Sequence, residues 1–155
     1  MLYWIFDLDQ TLYQLPNNIN FSYSYLSKDS QLQYLLNNLP LKKIIFTNGT
    51  YNHAIECFKK MRIEGFNSNN ITARDTINDL KPNYDAYDKF IQLNNINSDD
   101  KCIFFDDLPE NLINSKKFNW ITVLINPNSH IHEDIDFWFP NIYIALNYFL
   151  CKLKQ

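Results

Sequence analysis

The stretch FDLDQTL, residues 6–12, decides how this chain is read. It follows the apolar run LYWI at 2–5 and sets Asp7 and Asp9 two positions apart, with Thr11 close behind. Residues 2–8 are short and nearly continuously apolar, the character of a strand covered on both faces. Two carboxylates at that spacing repel each other unless a cation or shared protons lie between them, so the stretch points to a metal-assisted site.

The same strand character recurs at 43–46, 102–105 and 121–125. Between these runs, Ala54, Ile55, Phe58 and Met61 recur at helical intervals, as do Tyr84, Tyr87, Phe90 and Ile91, and later Leu112 and Ile113. Thr50 can cap a helix from about 51, Pro82 precedes one over 83–93, Pro109 opens one to about 117, and Asn141 opens a last one over 142–153. Strands alternating with helices predict an α/β fold, a Rossmann-like doubly wound parallel sheet. Residues 12–40 break the pattern as an insertion after strand one, rich in Tyr, Asn and Ser. Its helix, over 28–38, is expected to be capped by Ser27 with Leu32, Leu35 and Leu36 inward.

The 155 residues fit one domain, 1–155; a chain of that size buries roughly 68–70% of its unfolded surface. A net charge of −3 without runs of like charge lacks the footprint of an extended nucleic-acid surface. Cys57, Cys102 and Cys151 form no CxxC pair and suit the reduced thiols of a cytoplasmic protein. No apolar run approaches the roughly 20 residues of a membrane span. These features favour a small, diffusible partner.

Each polar residue of interest falls just after a strand: Asp7 and Asp9, then Thr47 and Asn48, then Asp106 and Asp107. The carboxyl ends of parallel strands share one edge, where ligands bind, so these stretches converge. Carboxylates with a backbone carbonyl make a hard oxygen set suited to Mg²⁺. Beside such a cation one Asp can attack phosphorus and another can donate and take up the proton. Thr47, backbone amides and the Lys81 ammonium can hold the phosphoryl oxygens.

FDLDQTL, IIFTNG at 44–49, Lys81–Pro82 and IFFDDLPEN at 103–111 resemble, in order and spacing, the four motifs of the haloacid dehalogenase-like phosphohydrolases. TNGTYNHA at 47–54 and SKKFNWITVLI at 115–125 are similar to the pyrimidine 5′-nucleotidase branch, with Asn119 where that branch often has Gly. The resemblance implies that Asp7 is the nucleophile and Asp9 the general acid and base. It implies that Asp7, the backbone carbonyl of Asp9, and Asp106 bind Mg²⁺, with Asp107 supporting the metal or orienting Lys81. Thr47 and Lys81 would hold the phosphoryl group, with Asn48 and Gly49 as substrate contacts. The implied activity is Mg²⁺-dependent hydrolysis of a phosphomonoester through an aspartyl phosphate, a pyrimidine nucleoside 5′-monophosphate being favoured. The 12–40 insertion would be a reduced cap. An open crevice would also admit a phosphoprotein or a nucleic-acid end, or be covered by a second copy of the chain.

Three other readings stand beside this one, and one of them is a phosphatase of phosphorylated protein tails, which shares the DLDxT opening. A receiver-type domain also gathers acids, Thr and Lys at a sheet edge, but its acidic pair precedes its phosphorylated Asp, the reverse of the order here. A non-catalytic phosphate-binding module would not need Asp7, Asp9 and Lys81 together. His53 reads as structural, bonded to a loop carbonyl, with a catalytic role as the alternative, and Asn111 as a residue of the helix after Asp107, with contact to the site as the alternative. Tyr13, Phe21, Tyr23 and Tyr25 read as packing on the sheet edge, with base stacking as the alternative. The HxH at 130–132 lacks partners at zinc-site spacing.

Overall fold

Alternation along the first strand builds both faces of the sheet. In the computed structural model, which describes residues 1–128 and 132–155, β1 (Leu2–Phe6) sends Trp4 and Phe6 into one core and Tyr3 and Ile5 into another. Side chains of that size contribute roughly 1.5–3 kcal/mol each when buried. Five further strands complete the sheet: β2 (Lys42–Phe46), β3 (Ile71–Thr72), β4 (Lys101–Asp106), β5 (Ile121–Ile125) and β6 (Phe137–Phe139). The order is β3-β2-β1-β4-β5-β6, and every pairing is parallel. This is the doubly wound α/β architecture that the apolar runs predict.

Helices cover both faces. On the Trp4 side lie α1 (Ser30–Asn38), α2 (Tyr51–Met61) and α6 (Ile142–Leu153), contributing Leu32, Leu36, Ala54, Phe58, Leu146 and Phe149. On the Tyr3 side α4 (Tyr84–Leu93) and α5 (Pro109–Ser115) contribute Ala86, Tyr87, Phe90 and Leu112. A short α3 (Arg74–Ile77) follows β3, and single turns of 3₁₀ helix occupy Tyr23–Tyr25 and Lys116–Phe118. Phe6 stands opposite both Ile45 and Phe105 across the ladder, so β1, β2 and β4 release their chains at one level of one edge.

Local chemistry explains where the elements begin and where the sequence reading needs correction. Thr50 caps α2 as expected, accepting from the His53 backbone N–H at 3.2 Å. The cap of α1 is Asp29 rather than Ser27: its carboxylate accepts from Leu32 N at 2.9 Å, the contact that satisfies a free first-turn donor. Strands β3 and β6 escape a periodicity argument because two or three residues carry too few repeats. Asn119 sits at φ 60°, a left-handed position that asparagine tolerates, which accounts for Asn where the resembled branch often has Gly. Among the described residues no helix is long and apolar enough to cross a membrane.

Candidate active site

Asp7 leaves the end of β1 with its backbone N–H donated to Phe105 O at 2.9 Å, which holds it against the end of β4. Asp106 ends β4 and Asp107 follows it; oxygens of Asp7, Asp106 and Asp107 lie within 4.8 Å of one another. Lys81 reaches in from the loop before α4. Its Nζ donates to Asp7 Oδ1 at 3.1 Å, Asp106 Oδ2 at 2.8 Å and Phe46 O at 2.6 Å. The ammonium also stands over the rings of Phe46 and Phe104, which shield it from water. Thr11, fully buried, donates its hydroxyl to Asp7 Oδ2 at 3.0 Å.

These charges do not cancel. Burial pushes the Asp7 carboxyl well above its usual range; Lys81 opposes the shift, and Asp106 and Asp107 reinforce it. Asp107 is pushed up to about 6 by burial and then by Asp106. Burial would lower the Lys81 ammonium, but Asp106 and Asp7 outweigh it and hold the group charged. Three carboxylates face one ammonium, an arrangement suited to a divalent cation. The donor set is all carboxylate oxygen with neither sulfur nor imidazole, so the residues fit a hard ion such as Mg²⁺.

Neighbouring side chains hold this cluster in place. Asn111 Nδ2 donates to both Asp106 oxygens, at 3.2 and 3.1 Å, and its buried Oδ1 lacks a partner among the described residues. The sequence reads Asn111 as a residue of α5 with contact to the site as the alternative, and the structure shows the contact. Asn48, read as a substrate contact, spends its amide on the Lys81 backbone in both directions, at 2.9 and 2.8 Å, and so positions the lysine. Thr47 is buried, and its Oγ1 accepts from Gly49 N at 3.0 Å, which leaves the hydroxyl hydrogen available to a ligand. Gly49 is a point of close approach: a Cβ there would stand 2.9 Å from the His53 ring, 3.3 Å from Thr47 Oγ1 and 3.5 Å from Asp9 Oδ2.

Asp9 stands apart from the three clustered acids. Its Oδ1 accepts from the Tyr13 hydroxyl and from His53 Nε2, the latter at 2.6 Å. His53 therefore bonds a carboxylate of the DLD stretch and not a loop carbonyl, correcting the sequence reading. The signal for it was the helical register that puts His53 in the first turn of α2, at the sheet edge. Its other ring nitrogen pairs with the Tyr23 hydroxyl at 2.9 Å. The Asp9 hydrogen bond, reinforced by Cys57, raises the imidazole to about 11. Burial pushes the Asp9 carboxyl up, but the bonds from His53 and Tyr13 outweigh it and hold the carboxyl below its usual range.

Cys57 Sγ lies 3.6 and 4.0 Å from the two ring nitrogens of His53 and packs against that ring. Tyr13 and Tyr23 pack against the core at the sheet edge, where with Phe21 they crowd Asp9 and His53, while Tyr25 is largely exposed. Beside Asp9 opens a cleft of about 460 Å³ walled by Tyr13, Ile19, Phe21 and His53. Of the HxH pair, His130 lies outside the described residues, and His132 stands 3.9 Å from Asp134 near the surface.

No known protein-family model matches the chain. Among solved structures it is similar to a hydrolase from Pseudomonas syringae, with a TM-score of 0.73 and 16% identity over 96% of this chain and 98% of that one. It is also similar to L-2-haloacid dehalogenase from Xanthobacter autotrophicus with chloropropionic acid covalently bound, at a TM-score of 0.65 and 14% identity over 85% of this chain and 63% of that one. A further dehalogenase structure matches at a TM-score of 0.63 and 16% identity over 81% of this chain. The chain spans 55% and 63% of the length of these two dehalogenases. The fold is therefore the haloacid dehalogenase-like one.

Proposed function

We propose that this protein is a Mg²⁺-dependent phosphomonoester hydrolase that works through an aspartyl phosphate on Asp7. The observation that carries the reading is the division of labour among four acids. Asp7, Asp106 and Asp107 share a space the size of one cation, while Asp9 is turned out of it and bonded elsewhere. Held by Asp7, Asp106 and the backbone carbonyl of Asp9, with Asp107 beside them, Mg²⁺ would supply charge neutralisation for an incoming phosphoryl group.

The chain's own residues do the rest. An Asp7 oxygen attacks phosphorus as the ester oxygen departs and takes its proton from Asp9, whose carboxyl the negative charge of the bound phosphoryl group would raise into the protonated form. Water then attacks the aspartyl phosphate, Asp9 accepts its proton, and Asp7 is released. Lys81, anchored by Asp106 and Phe46 O, and the Thr47 hydroxyl provide positive charge and a donor for the phosphoryl oxygens. Dehalogenation is the rival chemistry on this fold. The excess negative charge of the cluster disfavours a haloacid carboxylate and favours a phosphate bridged by a cation.

The cleft beside Asp9 lies where a leaving group receives its proton. Its walls are largely apolar, and Phe21 is 45% exposed, which supports a ring-bearing alcohol such as a nucleoside. The TNGTYNHA resemblance favours a pyrimidine 5′-monophosphate. A small nucleotide partner, cytoplasmic residence and closure of the cleft by a second copy belong to the same proposal. The test is release of phosphate from UMP, CMP, sugar phosphates and a phosphopeptide, with and without Mg²⁺. Metal-dependent release fastest from the pyrimidine nucleotides supports the reading. Preference for the phosphopeptide would reassign the substrate to a macromolecule, and phosphate binding without turnover would leave a binding module.

A further inference from the structure

Both donors to Asp9 Oδ1 depend on the insertion after β1. Tyr13 belongs to it and donates its hydroxyl directly. His53 comes from α2, but its ring is held from behind by Tyr23, in the 3₁₀ turn whose N-cap is Ser22, and Phe21 packs edge-on against both rings. The other oxygen faces a different way. A Cβ built at Gly49 would lie 3.5 Å from Asp9 Oδ2 and 3.3 Å from Thr47 Oγ1, so both oxygens border the space at Gly49, and Oδ2 is not the oxygen that Tyr13 and His53 hold.

We propose that Tyr13 and the Tyr23–His53 pair are positioning residues for Asp9: they occupy Oδ1 and leave Oδ2 alone to carry the proton. The inference rests on the phosphohydrolase reading and deepens it. As the P–O ester bond breaks and Asp7 bonds to phosphorus, the proton on Oδ2 passes to the departing oxygen. When water bonds to phosphorus and the Asp7–P bond breaks, a proton of that water returns to Oδ2. An unrestrained carboxyl rotates and exchanges its oxygens; two donors on Oδ1 remove that freedom. Lids commonly complete a catalytic constellation by closing. Here the short insertion orients the proton carrier through bonds already in place, in addition to walling the leaving-group cleft.

Leaving-group dependence separates this role from a structural one. An aryl phosphate leaves as a stabilised phenolate and needs little protonation, whereas an alkyl phosphate depends on the acid. General acid–base catalysis is worth about 10²–10⁴ in rate, and misorientation forfeits part of it. Tyr13→Phe, Tyr23→Phe and His53→Ala should therefore lower kcat for an alkyl phosphate about ten- to hundredfold and for p-nitrophenyl phosphate at most about threefold. His53→Gln, which keeps a side-chain donor near Nε2, should recover much of the alkyl activity, and circular dichroism should match wild type for each variant. Equal losses on the two esters, or alkyl turnover within about twofold of wild type, would overturn the positioning role. Wild-type protein that hydrolyses neither ester would instead remove the phosphohydrolase reading and this inference with it.

Discussion

Replacing Asp107 with Asn should make the metal-free protein more stable, and the size of the gain follows from the cluster. Asp107 is held at about 6 against a usual 3.8, so the folded chain binds its proton more tightly than the unfolded chain does. The ionised form therefore costs stability. That cost is absent below about pH 4, grows as pH rises through the interval from about 4 to about 6, and is complete above it. About two pH units at about 1.36 kcal/mol each set a ceiling near 3 kcal/mol. Partial exposure of Asp107 screens its charge and brings the figure to about 1–2 kcal/mol. For a chain of this length each kcal/mol moves the unfolding midpoint by about 2–4 °C, so Asp107→Asn should melt about 2–8 °C higher at pH 8 in chelator. At pH 4 the two proteins should melt together. Added Mg²⁺ should stabilise wild type more than the variant, because a ligand stabilises only the state that binds it. Calorimetric or circular-dichroism melts at the two pH values, with and without metal, make the comparison. A variant that melts at or below wild type at pH 8 in chelator would refute the reasoning that these carboxylates are mutually repelling and await a cation.

Three further outcomes follow from the same geometry. Asp7→Asn should leave the circular-dichroism spectrum intact and abolish phosphate release; appreciable residual turnover would take Asp7 out of the nucleophile role. Gly49→Ala should lower kcat about tenfold or more without unfolding the chain, because its Cβ would press the His53 ring at 2.9 Å and crowd the space between Asp9 and Thr47; steady-state kinetics with unchanged parameters would contradict the close approach. Phe21→Ala should raise KM for a nucleoside monophosphate roughly three- to tenfold, a stacking loss of about 1 kcal/mol, and leave KM for a small phosphate ester nearly untouched. Equal effects on both substrates would remove Phe21 from the leaving-group wall.

The sheet was legible because its central strands are apolar on both faces, and Trp4, Phe6, Tyr3 and Ile5 fill two cores as that pattern demands. Asp7, Asp106 and Thr47 were legible as a set because parallel strands deliver their carboxyl ends to one edge, whereas Lys81, on the loop before α4, was legible only through the Lys81–Pro82 resemblance. His53 was harder. Its helical register places it at the sheet edge, but its tie to Asp9 spans 44 positions, which no local rule encodes. Asn48 shows a related difficulty: the resemblance reads it as a substrate contact, and its bonds to the Lys81 backbone 33 residues away, one from Nδ2 and one to Oδ1, are not encoded by any local rule. The cap of α1 moved from Ser27 to Asp29 because two competent caps lay within one turn and tertiary anchoring chose between them: Asp29 N donates to Met61 O at 2.9 Å.

The central claim is that Asp7, next to a cation shared with Asp106, takes the phosphoryl group. Rapid acid quench after mixing protein, Mg²⁺ and a radiolabelled phosphomonoester, followed by peptide mapping, tests it most directly. The account predicts protein-bound label on the peptide containing Asp7, with none in Asp7→Asn and little in Asp106→Ala until Mg²⁺ is raised well above the wild-type requirement. Burst release of free phosphate with no labelled protein, or label on another side chain, would contradict it.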